Sequence, residues 1–204
     1  MLQTLISFAF ATFFLAISPG PDNIFVLTQS IANGKKAGLL TVFGLMSGCL
    51  IHTTLIAFGV SVIIKENENI FIFIKILGAS YLLYLAFKVY KSDAKLVLSN
   101  QIVKKTTSIQ LFKKGFIMNV LNPKVTLFFL ALFPQFLFSS SIPTSVQFYV
   151  LGFIFILVSF IVFASISLLA ARVSKFIREK PSIGLYLKWI QIIVFTAIAF
   201  MILL

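Results

Sequence analysis

Two short segments of this 204-residue chain combine helix-breaking prolines with groups that can bind ions: Ser18-Pro19-Gly20-Pro21-Asp22-Asn23 and Asn119-Val120-Leu121-Asn122-Pro123-Lys124. Proline lacks a backbone N–H and clashes with the preceding turn, so in a helix it frees carbonyls upstream, here near residues 15 to 18 and near 119. Freed carbonyls and a carboxylate such as Asp22 suit an ammonium group. An ammonium such as Lys124, or the N-terminus of a half-helix, suits a carboxylate. Asn119 and Asn122 supply amides where the backbone is opened. The chemistry on offer is reversible binding of a small zwitterion, with Asp22 as a group that could exchange a proton. Bond-making chemistry has no support. Cys49 is the single cysteine and His52 the single histidine, which leaves no thiol pair, no disulfide framework and no metal cluster. No phosphate loop and no Ser/His/Asp set is present either, so no enzyme activity, metal or cofactor is expected.

The elements that must position these residues follow from composition. Hydrophobic residues make up 60% of the chain and charged ones 11%, with a mean hydropathy of +1.09. A soluble domain carries roughly a quarter charged residues. A soluble globule, a disordered chain and a disulfide scaffold are therefore excluded. A membrane helix needs about 20 apolar residues, and six stretches qualify: about 2–32, 38–64, 70–87, 116–138, 145–171 and 185–204. Their continuous apolar character and length predict α-helices rather than barrel strands. The first is interrupted by Ser18-Pro19-Gly20-Pro21-Asp22 and the fourth by Asn122-Pro123-Lys124. The expected fold is an all-α integral membrane protein of six spans forming one transporter domain over 1–204. The longest polar connection, about 88–114, is too short to hold a core of its own.

The net charge of +12 fits this picture once its location is considered. Lys35 and Lys36 lie in the first connection, seven lysines (Lys88, Lys91, Lys95, Lys104, Lys105, Lys113, Lys114) and Asp93 in the third, and Arg172, Lys175, Arg178 and Lys180 with Glu179 in the fifth. The second connection carries Lys65, Glu66 and Glu68, and the fourth, Ser139 to Thr144, no charge. Basic connections face the cytoplasm, which predicts the odd loops inside and both termini outside. Every basic cluster borders a span end, so nucleic acid is not an expected partner. The N-terminal run has no Lys or Arg before Lys35 and no small-residue cleavage site, and reads as a retained span rather than a signal peptide.

The two breaks lie 104 residues apart, as Pro19 and Pro123 show, and each sits about ten residues from the cytoplasmic end of its span, on the order of 15 Å deep. Matched breaks in two halves are the sequence pointer to a transporter built from inverted repeats. The halves are about 1–90 and about 115–204. Asp22 is the only acidic residue inside any expected span, and Lys124 is the clearest buried base, whereas Lys75 and Lys188 lie near span ends and can snorkel. Asp22 and Lys124 could pair across the interface between halves, either as a fixed salt bridge or with Asp22 titrating with substrate or proton. Softer marks are Gly44 and Gly48, spaced for close helix approach inside the chain or between two copies, and His52, Tyr81 and Tyr84, which could line a cavity. A buried, hydrogen-bonded role is the stronger expectation for His52. Tyr186 and Trp189 mark a membrane interface.

The ordered set of motifs resembles the LysE/RhtB family of amino-acid exporters. Ser18-Pro19-Gly20-Pro21-Asp22-Asn23 is similar to the family's opening signature. Gly34-Lys35-Lys36-Ala37-Gly38 with Gly44 and Gly48, then Leu77-Gly78-Ala79-Ser80-Tyr81-Leu82-Leu83-Tyr84-Leu85, follow in the expected order. Phe112-Lys113-Lys114-Gly115-Phe116, the Asn119–Lys124 segment and Phe133-Pro134-Gln135-Phe136 complete it. Ala86 departs from the glycine that many members carry there. The resemblance implies a bacterial inner-membrane exporter of amino acids or close derivatives, such as threonine, homoserine or leucine, driven by proton antiport. It carries Pro19, Gly20, Pro21, Asp22, Asn122, Pro123 and Lys124 over as the core of the transport path. Expected partners are thus the amino-acid cargo, protons and the lipid bilayer, with a homodimer left open. The competing readings are a membrane partner or assembly subunit that carries nothing, and an exporter of another small cation or metabolite.

Overall fold

The computed structural model describes residues 1–62, 68–92, 107–180 and 182–203. Its regular elements are all helical: α1 Leu2–Ile17, α2 Pro21–Asn33, α3 Lys35–Leu55, α4 Glu68–Lys91, α5 Ser108–Val120, α6 Pro123–Leu132, α7 Thr144–Leu168, α8 Ala170–Glu179 and α9 Ser182–Leu203. A π-turn, Ile56–Val60, prolongs α3, and a 3-10 turn, Phe133–Phe136, prolongs α6. α3 with its π-turn, α4, α7 and α9 are long and apolar enough to cross a bilayer. The bent pairs α1–α2 (60°) and α5–α6 (50°) bring the number to six if each counts as one span. Both bends fall at proline, where the helical hydrogen-bond ladder must stop.

Helix α5 begins at Ser108, well before the expected start of the fourth span at 116. The Thr107 N–H donates to Gln110 Oε1 at 3.1 Å, half of a capping box that starts the helix early. Lys113 and Lys114 are exposed on its outer side, and Leu111, Gly115 and Asn119, four residues apart, form its buried stripe. Two lysines lower a hydropathy average without disturbing that stripe, so these residues belong to a helix rather than a connection. The fifth span likewise stops at Leu168 rather than 171, and the basic stretch after it is helix α8. Ala170 and Ser174 of α8 are buried, whereas Arg172, Lys175 and Phe176 are exposed. Lys65, Glu66, Asp93, Lys95, Lys104 and Lys105, which enter the charge argument, lie outside the described residues.

Glycine sets the closest packing. A Cβ on Gly44 would fall on the Phe112 carbonyl, one on Gly48 on the Asn119 side chain, and one on Gly115 on the Thr41 carbonyl. The backbones of α3 and α5 therefore touch, as small residues permit in membrane helices. This uses the Gly44/Gly48 pair inside the chain. α3 also packs on α7, α4 on α9, α1 on α7, α2 on α3 and α6 on α4. Phe8, Phe129, Phe133 and Phe155 form an aromatic cluster, with Phe129 stacked on Phe133 at 4.1 Å and Phe8 edge-on to Phe133 at 4.9 Å. The outer faces are apolar: Phe58, Phe73, Phe153 and Ile193 are each more than 60% exposed, which lipid tolerates and water does not.

Candidate functional site

At the first break, the Ser18 N–H closes α1 on the Phe14 carbonyl at 3.1 Å. Gly20 is extended, and Pro21 opens α2 with Asp22 in its first turn. A carboxylate at that position is favoured by the unpaired N–H groups of the helix start. The carbonyls released upstream are met from elsewhere. Asn23 Nδ2 donates to the Ala16 carbonyl at 2.7 Å, and Lys124 Nζ lies 3.5 Å from the Leu15 carbonyl.

At the second break the sequence supplies its own cap. Asn122 Oδ1 accepts from the Lys124 N–H at 3.0 Å, which fixes the first turn of α6. The same side chain reaches across to the first break, where its Nδ2 donates to Asp22 Oδ2 at 2.9 Å. Asn122, with the longer Lys124–Leu15 contact, thus ties the two breaks together. Upstream, the Asn119 carbonyl accepts from Asn122 N–H at 3.0 Å and lies 3.2 Å from His52 Nε2, and Asn119 Nδ2 sits 3.4 Å from Cys49 Sγ.

An Asp22–Lys124 ion pair is not formed as a direct contact. Among the described residues the pair within 4.0 Å is Lys175–Glu179, at 3.7 Å on α8. Two things separate Asp22 from Lys124: Asn122 occupies Asp22 Oδ2, and the lysine is drawn to the Leu15 carbonyl and the Phe195 ring, 5.0 Å from its centroid. Asp22 is 8% exposed, and its Oδ1 has no hydrogen-bond partner among the described residues.

Two spaces meet at the breaks. A small cavity of about 30 Å³ is lined by Asp22, Asn23, Cys49, Asn119, Phe155 and Ser159 among others. It would hold one or two waters, far less than an amino acid. A larger cleft of about 580 Å³ runs from Lys88 and Ser92 at the end of α4, past Tyr81 and Phe195, to Pro19 and Pro123. Gly20, Pro21, Asn122 and Lys124 line both. The two breaks are therefore the wall shared by a roomy cleft and a small pocket.

All nine residues expected on the path lie on this wall or on one of its two faces. The softer candidates divide. Tyr81 lines the cleft. Tyr84 lines neither space and is exposed, and His52 lines neither, being buried against Asn119 and the Phe129 ring. Lys188 does reach the surface, donating to the Ser92 carbonyl at 2.8 Å. Sequence reasoning missed Ser159, Phe155 and Phe195, whereas the Leu15 carbonyl lies in the stretch near 15 to 18 where freed carbonyls were expected. Ser159 did leave a trace, as the one polar side chain between Val150 and Ala164. For Phe195, one of 25 phenylalanines, nothing in the sequence marks it out.

A helical bundle in an apolar coat, with two broken helices whose ends meet at a carboxylate, an amide and a lysine, is a membrane transport protein by architecture. The family model for LysE type translocators matches residues 13–204, and the chain belongs to that family. It is a multi-pass membrane transporter and not an enzyme. It is 32% identical over 173 residues to the leucine efflux protein of Salmonella typhimurium, covering 84% of this chain and 81% of the relative. Against the homoserine/homoserine lactone efflux protein of Salmonella typhimurium the identity is 30% over 164 residues, covering 80% of this chain and 79% of the relative. No solved structure matches the chain.

Proposed function

We propose that this chain exports neutral amino acids or close derivatives across a bacterial inner membrane, in exchange for protons. The observation that carries the reading is the wall shared by cleft and pocket, where Asp22 from one break and Lys124 from the other face the same space and Asn122 ties them. The ammonium of the cargo goes to Asp22, whose Oδ1 is unpartnered among the described residues, and the carboxylate to Lys124, replacing its contacts with the Leu15 carbonyl and the Phe195 ring. Membrane-embedded charges normally face a partner or a wet path, and Lys124 borders the cleft while Asp22 borders the pocket. The names of the two efflux relatives support leucine and homoserine as first cargoes to try.

The cleft, which ends at Lys88 and Ser92, is the cytoplasmic vestibule in this reading, supported by the positive-inside rule applied to the basic connections. Both termini then lie outside. Phe8 and Phe133 each stand ten residues along their half-helices from the breaks, about 15 Å away, and close the outer side. Cargo enters the vestibule, displaces the Lys124 and Asn122 contacts, and leaves when the phenylalanine cluster parts. Proton uptake by Asp22 releases the ammonium. The exchange of packing partners supports two inverted halves of about 1–90 and 115–204: α1 leans on α7 as α5 leans on α3, while α3–α7 and α4–α9 pair across the halves.

The test is efflux from cells preloaded with leucine, homoserine, threonine, lysine or cysteine, with and without an uncoupler. Uncoupler-sensitive efflux of the neutral members is expected. Equal efflux from cells without the protein across the whole panel would overturn the reading in favour of a subunit that carries nothing.

A further inference from the structure

Hydroxyl groups in membrane helices usually satisfy themselves by donating to the carbonyl four residues back. Thr41, Thr53, Ser61 and Ser165 do so here, at 2.6 to 3.1 Å. Ser159, in the middle of α7, does not. It is 1% exposed, its Oγ has no hydrogen-bond partner among the described residues, and it lines the small cavity that Asp22 also lines from α2. Asp22 Oδ1 is unpartnered on the same cavity. Leaving two such oxygens buried and unpaired is costly, so the cavity is set to receive a group that donates to both.

We infer that Ser159 and Asp22 form a subsite for the primary ammonium group of the cargo, with Ser159 as the residue that discriminates by counting N–H donors. This rests on the reading of the chain as an amino-acid exporter, and deepens it. A primary ammonium carries three N–H bonds, and the cavity offers it three acceptors without a partner among the described residues: Asp22 Oδ1, Ser159 Oγ and Asn119 Oδ1. Neighbouring acceptors are already engaged, the Leu15 carbonyl by Lys124, the Ala16 carbonyl by Asn23 and Asp22 Oδ2 by Asn122. An N-methyl amino acid loses one donor and adds a methyl where about 30 Å³ is available. A 2-hydroxy acid loses the charge as well. Both are disfavoured by the wild-type site.

The experiment measures efflux kinetics in reconstituted proteoliposomes for leucine, N-methylleucine and 2-hydroxyisocaproate, with the wild type and Ser159→Ala. The wild type is expected to prefer leucine to N-methylleucine. Ser159→Ala should raise the leucine KM on the order of tenfold with little change in maximal rate, and the leucine/N-methylleucine preference should shrink. Melting of the variant in detergent at the wild-type temperature separates a binding defect from a folding one. An unchanged leucine KM and an unchanged preference in a well-folded Ser159→Ala protein would overturn the assignment and leave Ser159 a water ligand. If instead the wild type carries none of the three compounds nor any amino acid of the panel, it is the exporter reading that fails.

Discussion

The two helix breaks share a design but not a state of completion. Each is a proline-opened half-helix at a sharp bend, 60° at the first and 50° at the second. The second is satisfied along its backbone, although Asn119 Oδ1 has no partner among the described residues. Asn122 caps α6, its backbone carbonyl accepts from the Thr126 N–H, and the Asn119 carbonyl upstream is matched by His52. The first is not. Gly20 offers no side-chain cap, the Leu15 carbonyl depends on a lysine from the other half, and Asp22 keeps one oxygen unpaired. The difference teaches how the work is divided: the second break is the frame, and the first is the side left open to a ligand.

That contrast can be broken by substitution. The largest effect is expected from Asp22→Asn, which removes the charge that an ammonium needs. Loss of a charged, buried contact corresponds to about a hundredfold fall in efflux rate over KM, at unchanged protein level on an immunoblot. Next comes Gly44→Leu, which sharpens the framing role. Its side chain has to enter the Phe112 backbone, and overpacking of about 1–3 kcal/mol or more should show as poor accumulation and a lower melting temperature in detergent. Asn122→Ala removes both the α6 cap, worth about 1 kcal/mol, and the donor to Asp22 Oδ2, and efflux should fall on the order of tenfold. Asn23→Ala loses one hydrogen bond within the first break and should cost about threefold in the same assay. The smallest change is expected for His52→Gln, since His52 lines neither space and a glutamine can still donate to the Asn119 carbonyl. Efflux within about twofold of the wild type is the expected result.

How much of this was legible in the sequence depends on the kind of signal each residue leaves. Broken spans were legible because proline acts locally, through its own missing N–H. Asp22 and Lys124 were legible because charge is rare in an apolar run. The early start of α5 and the separate helix α8 were not, since hydropathy averages over lysines that in fact sit on one exposed face. The Asp22–Lys124 pairing failed for a geometric reason: an amide two residues before Lys124 reaches the carboxylate first, and linear spacing carries no information on that competition. Tyr84 and His52 could be placed on helices but not on a face. Ser159 belongs to α7, and only the folded arrangement sets it on the same cavity as Asp22.

The central claim, that an amino acid passes between the two breaks on Asp22, is tested most directly by leucine efflux from preloaded proteoliposomes under an imposed proton gradient, comparing the wild type with Asp22→Asn at matched protein content. The account predicts gradient-driven efflux by the wild type and essentially none by the variant. Gradient-driven efflux of equal rate from both proteins would contradict it.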